Sequence, residues 1–275
     1  MLDFIKVVIL GIVEGITEWL PVSSTGHLIL VGSVLKPGLS DAFMEMFDVV
    51  IQLGAIMAVV VLYFHKLNPF SPRKSERQKM LTWQMWIKVA IASVPAAIVG
   101  LLFNDYLDAI FYKPVPVAIM LIVYGVLFII IEDKHRGKQP KVTRISQLTL
   151  KMLLWIGVFQ MLALIPGTSR SGATIVGALI IGVSRETAAE FTFFLAIPVM
   201  FGASLLKLLK FGFAFSAAEF GFLMLGCIVS FGVSIFAIKF LMGYIKKHDF
   251  KVFGYYRIIL GIFVLACGFL GALHA

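Results

Sequence analysis

The chain of 275 residues is too apolar for a water-soluble protein. Hydrophobic residues make up 60% of it and charged residues only 14%, whereas about 25% of the residues in an ordinary soluble domain are charged. The formal net charge of +9 raises nucleic acid as a partner, but the basic residues lie in short connections between apolar segments. Composition therefore excludes a soluble globular domain, argues against a nucleic-acid partner and indicates an integral membrane protein.

The chain begins with an apolar segment that polar residues interrupt. Residues 2–35 are apolar but are broken midway by the run PVSSTGH at 21–27. Asp3 before the first lysine, and Glu14 where a cleavable signal would have small residues, indicate that this segment stays in the mature protein. Each half is shorter than the roughly 20 apolar residues of one helical span. We therefore expect residues 2–35 to form a re-entrant hairpin.

Six longer apolar segments are predicted to cross the bilayer. They cover about residues 46–65, 83–103, 115–132, 186–209, 217–243 and 254–272. A second interrupted segment, 149–182, precedes the fourth of them and contains PGTSRSG at 166–172. Both cysteines, Cys227 and Cys267, fall inside apolar spans without metal-ligand spacing, so neither a disulfide nor a zinc site is expected.

Three connections between apolar segments are rich in basic residues. These residues are Lys66, Arg73, Lys74, Arg77 and Lys79 in the first, Lys134, Arg136, Lys138, Lys141 and Arg144 in the second, and Lys246, Lys247 and Lys251 in the third. The positive-inside rule places all three connections in the cytoplasm, which requires both interrupted segments to be re-entrant. Residues 104–114, with Asp105 and Asp108, and residues 210–216 are then outside. Contact with anionic lipid headgroups is an alternative explanation of the basic residues.

Each half of the chain then consists of one re-entrant hairpin and three spans, inserted in opposite senses. The predicted fold is an all-α polytopic membrane protein with six transmembrane helices plus two re-entrant helical hairpins in an inverted-topology repeat. The single membrane domain, 1–275, divides into repeats 1–145 and 146–275. Transporters use the same plan around a midplane site.

The two breaks carry the polar side chains from which a site could be built. Non-helical backbone at membrane depth needs protein or a water-filled cavity beside it, so we expect the breaks to meet and to present helix N-termini that attract anions. Glu14 and Glu18, four residues apart, share one helix face and would hold a cation or a shared proton. Arg170 has a planar fork that suits two phosphate oxygens. The alternative is that the two carboxylates only balance Arg170.

Hydroxyl groups and one histidine complete the two polar runs. His27 follows Ser23, Ser24 and Thr25, which places a titratable base beside candidate nucleophiles. In the second run the further ligand donors are Ser169, Ser171 and Thr174, and Gly167 and Gly172 would let backbone amides approach a ligand. Helix packing by small and hydroxyl residues is the alternative reading.

The segments EGITEWLPVSSTGH (14–27) and PGTSRSGAT (166–174) resemble the two signature motifs of the undecaprenyl-pyrophosphate phosphatases, the bacitracin-resistance proteins of bacteria. Length, hydropathy and both motif positions agree with that family over the whole chain. The resemblance implies a phosphatase of the bacterial cytoplasmic membrane that hydrolyses undecaprenyl pyrophosphate to undecaprenyl phosphate and inorganic phosphate. Such an enzyme recycles the carrier lipid for peptidoglycan and other cell-wall synthesis and confers bacitracin resistance.

The resemblance also implies roles for individual residues. The catalytic set would be Glu14, Glu18, Ser24, His27 and Arg170, with Ser23, Ser169, Ser171 and Thr174 around the pyrophosphate. A divalent cation, magnesium or calcium, is required in the family, and Glu14 and Glu18 offer the hard oxygen ligands that it prefers. The active site would face the outer side of the membrane, and the isoprenoid tail would lie between helices.

Several alternatives stay open. Ser24 could attack phosphorus with His27 as base, which we favour, or His27 could itself be the nucleophile. A transporter of an anion is the rival function, as is lipid flipping added to hydrolysis. A second membrane phosphatase superfamily places a histidine six residues beyond its arginine, where this chain has Val176. The preferred metal, the isoprenoid length and the oligomeric state, including a homodimer, are not set by the sequence.

Overall fold

The computed structural model describes residues 2–111, 113–212 and 215–269, with the side chains at 104, 105 and 108 outside the description. Within these ranges the chain is helical, and the β-structure consists of one isolated bridge between Val142 and Val183. Six helical segments are long and apolar enough to cross a membrane: Asp41–Leu62, Glu76–Phe103, Pro114–His135, Arg185–Phe211, Ala217–Ile245 and Lys251–Phe269. The predicted class, an all-α multi-pass membrane protein with six spans, is confirmed.

Twelve α-helices follow one another in the described ranges. They are α1 (Leu2–Thr17), α2 (Ser24–Leu35), α3 (Asp41–Val50), α4 (Gln52–Leu62), α5 (Phe64–Leu67), α6 (Glu76–Phe111), α7 (Pro114–His135), α8 (Leu150–Leu162), α9 (Arg170–Ile180), α10 (Arg185–Phe211), α11 (Ala217–Ile245) and α12 (Lys251–Phe269).

Several predicted boundaries are wrong, among them the start of the second span, which is Glu76 rather than about residue 83. The first span begins at Asp41 rather than near 46, because the Ser40 side chain caps α3 by accepting from the Phe43 N–H; its polar first turn lowers the hydropathy there. Residues 104–111, expected in an outside loop, continue α6. The next helix starts only at Pro114, after an extended Lys113, because a residue before proline is disfavoured in the α conformation. The predicted end of the last span, 270–272, lies outside the described residues.

The two interrupted segments each form a helical hairpin. In the first, the ends of α1 and α2 lie together, since Lys6 Nζ donates to the Lys36 carbonyl at 2.8 Å and the Gly38 N–H donates to Asp3 at 2.9 Å. In the second, α9 folds back on α8, and Trp155 Nε1 donates to the Gly177 carbonyl at 3.1 Å. With 11 to 16 residues each, these helices are shorter than the roughly 20 residues of a full span.

Glycine contacts hold each hairpin against the opposite half of the chain. A Cβ on Gly15 of α1 would lie 2.8 Å from the Ser230 carbonyl of α11, and one on Gly157 of α8 would lie 2.7 Å from the Ala92 carbonyl of α6. Such close backbone approach is typical of helix pairs in membranes. Each hairpin therefore packs against a long helix of the other half, and the two breaks are buried between the halves.

Candidate active site

The two breaks end in the same local structure. Ser23 and Ser169 cap α2 and α9, and their hydroxyls accept from the N–H groups of Gly26 and Gly172 at 3.3 and 3.2 Å. Both serines have positive φ, 76° and 69°, a region that non-glycine residues rarely adopt. Backbone strain of this kind persists only where surrounding contacts enforce it, and functional sites are common examples.

Glu18 joins the two breaks. Its Oε2 accepts from Ser24 Oγ at 2.8 Å and its Oε1 accepts from Arg170 Nη2 at 3.0 Å. Ser171 Oγ donates to the Glu18 backbone carbonyl at 3.1 Å. Only 7% of Glu18 is exposed, so these charge-assisted bonds are little screened by water. The breaks therefore meet as expected, and Glu18, Ser24, Arg170 and Ser171 form one buried group.

Two of the three guanidinium nitrogens of Arg170 donate hydrogen bonds within the described structure. Nη1 donates to the Thr192 carbonyl at 2.9 Å, Nη2 is held by Glu18, and the group lies 5.8 Å from the Trp19 ring centroid. Its buried Nε has no hydrogen-bond partner in the described part of the chain. An unpaired buried donor costs about 1–3 kcal/mol, which an anionic ligand oxygen would recover.

The other residues expected in the second break support its backbone. Ser169 and Ser171 have their hydroxyls 3.2 Å apart, and fully buried Thr174 donates to the Arg170 carbonyl at 2.8 Å. Gly167 has φ 90°, and a Cβ there would lie 2.3 Å from the Val117 carbonyl. The close neighbour of Gly167 is therefore α7, and the expectation that Gly167 lets the backbone approach a ligand gains no support.

His27 does not bond to Ser24 in the described structure, although the sequence suggested that pairing. Its Nδ1 lies 2.7 Å from the Ser23 carbonyl and its Nε2 lies 2.7 Å from the Tyr256 hydroxyl. The ring folds back over the helix start, so it faces α12 rather than the Ser24 hydroxyl, which points to Glu18. Thr25, in the same first turn, is half-buried.

Glu14 fits a cation better than Glu18 does. It is fully buried, and neither of its carboxylate oxygens has a hydrogen-bond partner among the described residues. The buried Oδ1 of half-buried Asp48 is also without one in the described part of the chain. Among the described residues, no group of three or more His, Cys, Asp or Glu side chains is arranged to hold a metal ion. Magnesium, however, is commonly held by one or two carboxylates together with substrate phosphates, and Glu14 suits that arrangement.

Arg257, which the sequence reasoning missed, holds the two breaks together. It is fully buried and donates to the backbone carbonyls of Gly167 and Thr168 at 2.8 and 2.9 Å and of Pro21 at 3.3 Å. A charged residue inside an apolar span was the available signal in the sequence, since a charge within the membrane usually has a function. Asp48 carried the same signal, whereas Tyr256 carried none.

The chain is similar to known proteins over nearly its whole length. The family described as bacitracin resistance protein BacA matches residues 7–263. A protein named undecaprenyl-diphosphatase from Acetivibrio thermocellus is 64% identical to this chain over 265 residues, which cover 96% of this chain and 97% of the relative. One from Enterococcus faecalis is 62% identical over 263 residues, 94% and 95% of the two chains. Another, from Desulfitobacterium hafniense, is 59% identical over 266 residues, 96% of each chain. This chain therefore belongs to the bacitracin resistance protein BacA family.

Proposed function

We propose that this protein is an undecaprenyl-diphosphatase that hydrolyses undecaprenyl pyrophosphate to undecaprenyl phosphate and inorganic phosphate. It thereby recycles the carrier lipid for cell-wall synthesis and confers bacitracin resistance. The observation that carries the proposal is the Glu18 carboxylate, which bonds a hydroxyl of one break and a guanidinium of the other at 2.8 and 3.0 Å. The names of the relatives supply the substrate.

Ser24 is the nucleophile and Glu18 is its base. Ser24 Oγ attacks the terminal phosphorus, its proton passes to Glu18 Oε2, and the bond from phosphorus to the bridging oxygen breaks. Undecaprenyl phosphate leaves and takes the proton from Glu18. Water then attacks the phosphoserine, its hydroxyl joins the phosphate, and its other proton returns to Ser24 Oγ. An adjacent base is the usual means by which a serine becomes nucleophilic.

Arg170 and the capped helix starts stabilise the negative charge of the transferred group. The free Nε–H of Arg170 is available to a phosphate oxygen, and the N-termini of α2 and α9 add positive dipole ends. A divalent cation, magnesium or calcium, held mainly by Glu14 and completed by Glu18, would neutralise diphosphate oxygens when bound. Ser23, Thr25, Ser169 and Ser171 surround the pyrophosphate.

The membrane arrangement is part of the proposal. Residues 1–145 and 146–275 form two inverted repeats, each with one re-entrant hairpin and three spans, in the bacterial cytoplasmic membrane. The basic connections face the cytoplasm and the site faces outward. Support comes from the pairing of α1 with α11 and of α8 with α6 through Gly15 and Gly157, which an inverted repeat would generate.

Phosphate release by the purified protein tests the activity. Undecaprenyl pyrophosphate in detergent is supplied with magnesium, with calcium or with a chelator. We expect metal-dependent release that is lost in Glu18→Gln and Arg170→Ala and kept in the matched surface variants Glu76→Gln and Arg73→Ala, whose side chains are exposed. No release by folded wild-type protein under any metal would overturn the proposal and favour anion transport.

A further inference from the structure

The two ring nitrogens of His27 have partners of different character. Nδ1 faces the Ser23 carbonyl at 2.7 Å and Nε2 faces the Tyr256 hydroxyl at 2.7 Å. The imidazole and phenol rings are stacked, with an angle of 3° between their planes and centroids 5.6 Å apart. The 2.7 Å between Nε2 and the phenol oxygen is the distance of a hydrogen bond.

These partners determine the tautomer of neutral His27. A carbonyl oxygen only accepts hydrogen bonds, so the Ser23 carbonyl favours the tautomer with the proton on Nδ1. Nε2 is then the unprotonated nitrogen and accepts from Tyr256. Without the phenol O–H, the preference for that tautomer would rest on Ser23 alone.

We propose that Tyr256 is a positioning residue that holds His27 in the Nδ1–H tautomer, with Nε2 as its proton-accepting nitrogen. The inference rests on the phosphatase function proposed above. It adds α12 to the site, because neighbouring Arg257 ties both breaks from the same helix. It leaves the proposed nucleophile unchanged, because Ser24 is paired with Glu18.

Tyr256 is much more exposed than the buried residues Glu18 and Ser24. Its side chain is 46% exposed, whereas Glu18 and Ser24 are 7% and 8% exposed. A substrate phosphate or a water molecule that displaces the phenol would meet Nε2 of His27 already prepared to accept a proton. Proton transfer by such a positioned group depends on the correct tautomer.

Tyr256→Phe removes only the hydroxyl, and Tyr255→Phe is its matched control. Tyr255 is the preceding residue of α12 and is 54% exposed. Losing one hydrogen bond of about 0.5–1.5 kcal/mol corresponds to about a threefold to tenfold fall in kcat, which we expect for Tyr256→Phe with KM unchanged. Tyr255→Phe should match wild type.

Two further measurements separate positioning from packing. In a His27→Gln background, Tyr256→Phe should cause no additional loss, because its effect passes through His27. Histidine ¹⁵N spectra of the detergent-solubilised protein, with His27 identified by its loss in His27→Gln, should show Nδ1–H in wild type and a tautomer mixture in Tyr256→Phe.

The outcomes separate this inference from the proposed function. An equal loss with and without His27, or an unchanged His27 tautomer in Tyr256→Phe, would overturn the positioning role even if phosphate release is intact. If wild-type protein releases no phosphate, the phosphatase proposal fails, and the spectra alone decide whether Tyr256 sets the His27 tautomer.

Discussion

The first and second breaks share a backbone but not a chemistry. Ser23 and Ser169 cap their helices with similar positive φ, and Gly26 and Gly172 follow three residues later in both. At the equivalent place on the preceding helix, the first half has Glu14 and the second has Gln160. Both are buried with at least one oxygen unpaired among the described residues. The same local structure therefore carries a carboxylate at this position in the first half and a neutral amide in the second.

The two halves therefore contribute different groups to the proposed site. In the proposed mechanism the first half supplies the acceptors and the nucleophile, Glu14, Glu18 and Ser24, and the second supplies the cation, Arg170. Opposite charges from separate halves then pair across the interface at 3.0 Å. Under this mechanism neither half could bind and transfer a phosphoryl group alone, because attack and charge stabilisation come from different halves.

The largest effect is expected where the breaks are joined. Glu18→Gln keeps the shape but removes the charge that pairs with Arg170 and the base for Ser24. We expect kcat/KM to fall by about 10³-fold or more, since base catalysis alone contributes 10²–10⁴-fold. Phosphate release measures it, with Glu76→Gln as control. A fall below tenfold would contradict the role of Glu18 as base.

Removing the link through α12 should destabilise both breaks together. Arg257→Met leaves the carbonyls of Pro21, Gly167 and Thr168 without their donor. We expect a loss of about 3 kcal/mol in the free energy of unfolding, as for other broken buried charge networks. Unfolding in detergent, monitored by circular dichroism, gives the value.

Exposed Arg77 provides the control for that variant. Arg77→Met should change stability by no more than about 0.5 kcal/mol. Equal stability of the two variants would show that Arg257 does not hold the breaks.

The equivalent positions Glu14 and Gln160 should differ in their response to metal. Glu14→Gln makes the halves alike, and we expect the magnesium concentration for half-maximal phosphate release to rise at least about tenfold. Gln160→Met, in a similarly buried place, should leave that concentration unchanged. The same shift in both variants would indicate a packing effect instead of cation binding.

The smallest effect should be common to both breaks. Ser23→Ala and Ser169→Ala each remove a helix cap, which costs about 1 kcal/mol of stability. The corresponding glycine variants should lose less, because glycine tolerates positive φ. Thermal unfolding of the four variants tests this, and a loss at only one break would show that the two caps are not equivalent.

Sequence reasoning succeeded where solvent dictates structure. Apolar length revealed the six spans, and the cost of unpaired backbone in a membrane predicted that the runs around Ser24 and Arg170 would meet. It failed at residues 104–111, because α6 continues through polar residues beyond the apolar part of its span. The partners of His27 depend on how α12 packs, which periodicity does not encode.

The most direct test of the account is to find which residue receives the phosphoryl group. Wild-type protein is mixed with undecaprenyl pyrophosphate carrying a radiolabelled terminal phosphate, quenched rapidly and digested, and the labelled peptide is identified by mass spectrometry. The account predicts phosphoserine at Ser24, absent in Ser24→Ala. Label on His27 would contradict it, because that nitrogen would then be the nucleophile and the pairing of Ser24 with Glu18 would have another purpose.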